Sequence, residues 1–222
     1  MEPIHSNIAL GLPNSVAPPT SHEVPPEIRK FLRSGDGDRF VVEEVDFSQG
    51  RNRKLLAELL KYKQNNPDVI LHFYKSNFNE VNFDNINLGN TIFEDSSFER
   101  ASFRGATIGP PSRGSEHFQF RDANFTGADF TGAKIEGVRF TNANFHNTIF
   151  LGARIENVMF DNPKNIVTIK LNKSTEFVDS RIGYPREKKG TFEAAQNFFN
   201  KVLGMEVFPS NERTIPDIGG EI

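Results

Sequence analysis

Five histidines are the readiest acid–base and metal-binding groups of this chain: His5, His22, His72, His117 and His146. Zinc sites in sequences are marked by ligands a few residues apart. No two of these histidines stand that close, so no metal site is expected. Cysteine is absent, which removes thiol nucleophiles, thiolate ligands and disulfides. Asp36 and Asp38 alternate as calcium ligands do, but the remaining ligands and the closing Glu of such a loop are missing, and a turn is expected there. Ser112, Ser115, Glu116 and His117 crowd one short segment, where a Ser–His pair can be drawn. Such a pair works only when a third group on a rigid frame orients it. The segment Gly109–His117 reads GPPSRGSEH, which offers no such frame. Neither a phosphate-binding Gly-rich loop nor a nucleophile elbow occurs. The chain reads as a non-enzyme without cofactors.

What positions these side chains is a repeat. A large apolar residue recurs every fifth place from Phe73 to Phe160. The first run is Phe73, Phe78, Phe83, Leu88, Phe93, Phe98, Phe103 and Ile108. The second is Phe120, Phe125, Phe130, Ile135, Phe140, Phe145, Phe150, Ile155 and Phe160. A period of five is neither helical nor that of a plain strand, and a fixed period means stacked units. Two places before each centre sits a small or apolar residue, such as Ala101, Ala128 or Val138. In extended backbone it points the same way as the centre, so both face inward. Asn77, Asn82, Asn87, Asn124, Asp129 and Asn144 lie between and point outward; the alanine variants of Asn124 and Asp129 are expected to cost well under about 1 kcal/mol. Two places after the centre, Gly, Asn and Asp dominate, residues that tolerate the positive φ of tight turns. Each unit is a very short strand and a corner.

The non-Phe centres Leu88, Ile108, Ile135 and Ile155 reveal a second period of four units. One coil thus has four sides, with the aliphatic centres stacked on one and Phe on three. The step from Ile108 to Ile135 is one coil plus seven residues, which places an insertion within Gly109–His117. This pattern closely resembles the pentapeptide-repeat family, with its A(D/N)LXX consensus, although Phe replaces Leu at most centres. The resemblance implies an all-β solenoid, a right-handed quadrilateral β-helix of about four to five coils, capped at both ends by short helical segments.

Residues 1–26 are rich in Pro, Ser and Asn and read as a disordered arm. Residues 27–70 read as a small α/β cap, with a short helix after Pro25-Pro26, a strand from Phe40 to Phe47 and a basic amphipathic helix from Arg51 to Gln64. Leu55, Leu56, Leu59 and Leu60 form its apolar face, docked on the first coil. Arg51, Arg53, Lys54, Lys61 and Lys63 make it basic. The β-helix is assigned to 71–182, with its loop at 109–117. After Phe160 the repeat loses register. Residues 183–222 read as a helix from Thr191 to Leu203 and a tail. Phe192, Phe198, Phe199, Val202 and Leu203 are too apolar to stand alone; they either cap the solenoid or join a homodimer.

Net charge is −3, and 71–162 holds 11 acids against 8 bases. That speaks against direct nucleic-acid binding. No apolar run is long enough to span a membrane, and the N-terminus reads as no classical secretory signal, so the chain is expected in the cytoplasm or exported without such a signal. Function must come from a surface. The reading is a rigid protein-interaction module, with Pro110, Pro111, Arg113, Glu116 and His117 of the loop as candidate contacts. The resemblance adds that some family members are injected bacterial effectors. Its quinolone- and albicidin-resistance members imply an alternative: a DNA-like rod that binds a type II topoisomerase (DNA gyrase) and protects it from inhibitors.

Overall fold

The computed structural model describes residues 33–34, 39–89, 91–109, 118–184, 193, 197 and 207–209. The arm 1–26, the helix expected after Pro25-Pro26 and the Asp36–Asp38 turn lie outside these residues. The repeats wind into a right-handed parallel β-helix with four walls. The handedness follows the rule for parallel crossovers.

Two walls are strands by backbone pairing. The first contains β1 (Arg33–Ser34), β2 (Arg39–Glu43), β3 (Ile70–Tyr74), β5 (Ile92–Glu94), β7 (Phe118–Arg121), β9 (Val138–Thr141), β11 (Met159–Asp161), β13 (Arg181–Tyr184) and β14 (Val207–Pro209), in that spatial order. Every pair is parallel except β1 with β2. The fourth wall stacks β4 (Asn87–Gly89), β6 (Thr107–Ile108), β8 (Lys134–Glu136), β10 (Arg154–Glu156) and β12 (Glu176–Val178). The second and third walls are joined by single parallel bridges, such as Asn77 to Ser97 and Asn82 to Ser102.

Register places like on like. Phe73 pairs with Phe93, and Phe120 with Phe140, on the first wall. Ile108 pairs with Ile135 and Ile155 with Ile135 on the fourth, the aliphatic wall expected from the sequence. The Phe centres form three ladders of stacked rings. Along Phe83, Phe103, Phe130 and Phe150 the centroids are 4.9, 4.5 and 5.0 Å apart. Neighbouring ladders meet edge to face, as Phe93 and Phe98 do at 5.1 Å, the two arrangements that aromatic quadrupoles favour. Serine or threonine at an inward position keeps its hydroxyl bonded: Thr148 donates to the Phe125 carbonyl and Thr91 to that of Leu88.

The corners fall into two kinds. After second- and third-wall centres, the N–H of the next unit's small residue closes a turn onto the centre's carbonyl, as from Ala101 to Phe98 at 3.0 Å. After first-wall centres the corner is open, without that bond. Every described corner residue has positive φ, as the Gly, Asn and Asp bias anticipates. Lys75, Glu80 and Arg100 adopt it too, at 50°, 59° and 55°, despite their Cβ atoms.

At both ends the coil extends beyond the periodic stretch. β2 aligns Val42 with Phe73, and Asp46 bridges Asn77, so Phe47 enters the second ladder, stacked on Phe78 at 4.9 Å. The first coil is therefore under way before residue 71. Its remaining two sides are replaced by α1 (Gly50–Asn65). Leu56, Leu59 and Leu60 of α1 join the same core cluster, with Leu55 packed against it. After Phe160 the chain does lose the five-residue period, yet it completes another coil. Lys164 bridges Asn144, Lys170 bridges Ile149, and Phe160 pairs with Ile182. A 3-10 turn at Ile166–Thr168 absorbs the irregular spacing.

Replacing one ring of a ladder leaves a cavity that its stacked neighbours cannot fill. Phe130→Ala, between Phe103 and Phe150, is expected to cost about 3–5 kcal/mol in urea denaturation. A loss below about 1 kcal/mol is not compatible with this core.

Candidate functional site

Each five-residue unit offers three side chains to solvent: those flanking the centre and the one at the corner. Many are already engaged. The Oδ1 atoms of Asn77, Asn82, Asn87, Asn124 and Asp129 each accept the N–H two residues on, at 2.9, 2.7, 2.9, 3.2 and 2.9 Å. This is the local turn that Asn and Asp make with their own backbone. Other outward groups tie one coil to the next. Asn79 Oδ1 accepts from the Ser97 hydroxyl and the Glu99 N–H. Asn165 donates to Asn144, and Asn144 donates to Asn124, an amide ladder with steps of 2.8 and 3.1 Å. Asn124 and Asp129, expected from the sequence to point outward at little cost to alanine, do lie on the outer side and are each hydrogen-bonded to the backbone two residues on.

Several charges on the walls are matched between coils. Arg100 meets Glu80 at 2.6 Å, Arg104 meets Asp129 at 3.0 Å, and Arg121 meets Glu94 at 3.2 Å. Arg154 reaches both Glu156 and Glu176. These are exposed pairs of small net stability, and they engage Glu80, Glu94, Asp129 and Glu156 among the repeat carboxylates. Lys75 lies over the Tyr74 ring at 4.9 Å. His72 Nε2 is 3.4 Å from Glu94 Oε2; burial holds its pKa below the ordinary value, with Glu94 opposing. No group of three or more His, Asp and Glu suited to a metal exists among the described residues.

The basic face expected on α1 is only partly a face. Arg51, Arg53, Lys54 and Lys61 are exposed, but Lys63 is buried, at 4% exposure. Its Nζ donates to the Pro67 carbonyl at 2.5 Å, and it is the side chain a Cβ on Gly89 would first meet. Burial pushes its pKa down to about 8, against the attraction of Asp68.

The loop candidates Pro110, Pro111, Arg113, Glu116 and His117 lie outside the described residues. The loop's root does not. Gly109 is buried, with φ of 136°, and a Cβ there would sit 2.0 Å from the Glu136 carbonyl oxygen. Register is intact on both sides of the insertion: Ile108 with Ile135, Phe93 with Phe120. The C-terminal candidates Phe192, Phe198, Phe199, Val202 and Leu203 also lie outside. Within the same segment Glu193 and Asn197 are described, and both are helical and exposed.

The family model described as pentapeptide repeats matches residues 73–108 and 119–162, in eight copies. Among solved structures, a trypsin-treated form of QnrB1, described as a plasmid-mediated fluoroquinolone resistance protein, is similar at 18% identity. That match covers 65% of this chain and 62% of QnrB1, with a TM-score of 0.42. Rfr23, a pentapeptide repeat protein from the cyanobacterium Cyanothece 51142, is also 18% identical over 49% of this chain and 63% of its own, at a TM-score of 0.25. The match thus spans about six-tenths of each of these two proteins. No protein of curated function matches the chain.

Two measurements check this description. Asn124→Ala removes a corner bond and a rung of the amide ladder, and is expected to cost about 1–2 kcal/mol rather than nothing. For Lys63, the folded pKa lies below that of the unfolded chain, so the unfolded state holds more protons between about pH 8 and about pH 10.5. Stability should therefore rise through that window, by about 2–3 kcal/mol, relative to a Lys63→Met variant. Parallel stability–pH curves for the two proteins contradict the burial of this amine.

Proposed function

We propose that this chain, whose residues 73–108 and 119–162 are pentapeptide repeats, is a non-enzymatic protein-binding module. Its rigid walls and its inserted loop present the contacts. The observation that carries this reading is the intact register around the insertion. Gly109 is fixed against the Glu136 backbone, and the next coil is already in register from Phe118, which pairs with Val138, so the coils stack in step on both sides of the inserted segment. An excursion of that kind from a stiff frame suits recognition, because little order is lost on binding. Pro110 and Pro111 stiffen its start, and Arg113, Glu116 and His117 supply polar contacts. An effector role would use the same chemistry, with residues 1–26 as the address.

The rival reading, a DNA-like rod for a type II topoisomerase, asks for rows of bare carboxylates. Glu80, Glu94, Asp129 and Glu156 are each paired with an arginine, which favours the first reading. The C-terminal segment is proposed either to cap the last coil or to join two copies through Phe192, Phe198, Phe199, Val202 and Leu203. In the joined form two chains of 25.0 kDa sediment together and Phe199→Asp separates them; in the capped form a monomer is seen throughout.

Deleting the seven residues 110–116 restores the coil spacing and should leave the melting temperature equal or higher. A bound protein that wild type retains at stoichiometric level should be lost with the loop. Retention of every partner by the deleted form argues against the loop as the contact. Protection of gyrase supercoiling from a fluoroquinolone by the intact chain transfers the assignment to the rival reading.

A further inference from the structure

On the third wall, the two residues flanking each centre change character along the solenoid. They are Asn82 and Asp84, then Ser102 and Arg104, then Asp129 and Thr131, then Ile149 and Leu151. Single bridges fix the equivalence: Asn82 to Ser102, Ser102 to Asp129, Asp129 to Ile149. The polar members are engaged. Asp84 accepts from Ser102 and from the Arg104 N–H, and Asp129 accepts from Thr131 and pairs with Arg104. Ile149 and Leu151 have no such task. They point outward on either side of Phe150, and neither belongs to the core cluster or to the apolar side chains packed against it.

A third apolar residue lies on the coil beyond, in the turn tied to the corner before Ile149. Val167 is 41% exposed, the one large hydrophobic so exposed among the described residues. It sits in the 3-10 turn at the adjoining corner, held there by the bond from the Asn147 N–H to the Thr168 hydroxyl. From 164 to 173 the coil beyond carries only positive charge, while Asp129, which bridges Ile149 from the coil before, is paired with Arg104. Lys170 bridges Ile149 directly, and Lys164 and Lys173 stand on the same coil to either side. All three lysines are exposed, and none of their ammonium groups has an ion-pair or hydrogen-bond partner among the described residues, in contrast to the matched arginines of the earlier coils.

We propose that this patch of Ile149, Leu151 and Val167, framed by Lys164, Lys170 and Lys173, docks an acidic segment of a partner protein that alternates aliphatic and carboxylate side chains. The inference rests on the protein-binding reading above and names the partner's chemistry. The apolar side chains seat on the wall, and the carboxylates reach lysines one coil spacing away, about 5 Å. Aliphatic contact supplies affinity, and the unmatched lysines select the sign of the partner and speed encounter.

The test uses the full chain and a fluorescein-labelled peptide in which Glu and Leu alternate, followed by anisotropy. The peptide should bind, and more weakly as salt is raised from about 50 to about 300 mM. Leu151→Asp and Lys170→Glu should each weaken it about tenfold or more, with the melting temperature unchanged because both side chains face out. Lys54→Glu on α1 and a control peptide of alternating Glu and Ser serve as references. Leu151→Ser replaces Leu151→Asp if the latter fails to fold. Absence of binding, or binding untouched by these wall variants, overturns the proposal. So does co-sedimentation with phosphatidylserine vesicles that Lys170→Glu abolishes while the peptide stays free, which gives the patch to a membrane. Peptide binding that emerges only after removal of residues 210–222 also overturns it, since the wall then belongs to the chain's own tail. If the peptide fails while the loop deletion still loses a stoichiometric partner, the binding module stands and only this assignment falls.

Discussion

Everything in this fold depends on each coil returning its inward side chain onto the equivalent one of the coil before. A single Phe centre buries a ring worth roughly 2–3 kcal/mol in transfer from water. Stacked on its neighbours at about 5 Å, it gains a further 0.5–1.5 kcal/mol or so per pair. That gain exists only in register. A slip of one residue turns Phe103 outward and exposes it beside Phe130, so the ladder enforces its own alignment. Departures from the period are therefore confined to places where the ladder is not interrupted. The helix α1 enters after Phe47 and leaves before Phe73, two rings that still meet edge to face at 5.5 Å. The inserted segment after Ile108 is followed by β7, whose Phe120 stacks on Phe93 at 5.2 Å.

The same constraint sorts the surface. A corner must adopt positive φ every five residues, and a parallel stack must satisfy outward backbone groups without the help of long strands. Asn and Asp meet both demands, one at the corner and one before the centre. Asn142 and Asn162, for example, are both corner residues and are linked at 2.7 Å. Much of the polar decoration is thus architectural. Side chains the architecture does not use in this way include Ile149 and Leu151 on the third wall. Ile149 and Leu151 stand where a lattice of this kind ordinarily keeps polar residues, which is why their apolar character has meaning.

Much of this was legible in the amino-acid sequence because it is periodic. The inward centres, the positive-φ corners, the aliphatic fourth wall and the seven-residue insertion all follow from counting, since spacing alone decides which side chains can stack. The apolar face of α1 was legible for the same reason: Leu56, Leu59 and Leu60 recur at helical intervals. Tertiary structure alone decided what has no local signature. That Val42 and Phe47 begin the solenoid depends on pairing with strands some thirty residues later, across a helix. That the chain completes a further coil after Phe160 depends on Ile166 and Ile182 filling the interior despite irregular spacing. Lys63 looks like any lysine of a basic helix until the fold lays it against Gly89 and Pro67. Ile149, Val167 and Lys170 are far less conspicuous in sequence than the Phe centres. A bridge sets Lys170 beside Ile149, and the 3-10 turn that carries Val167 is tied to the corner before Ile149 by the bond from Asn147 to Thr168.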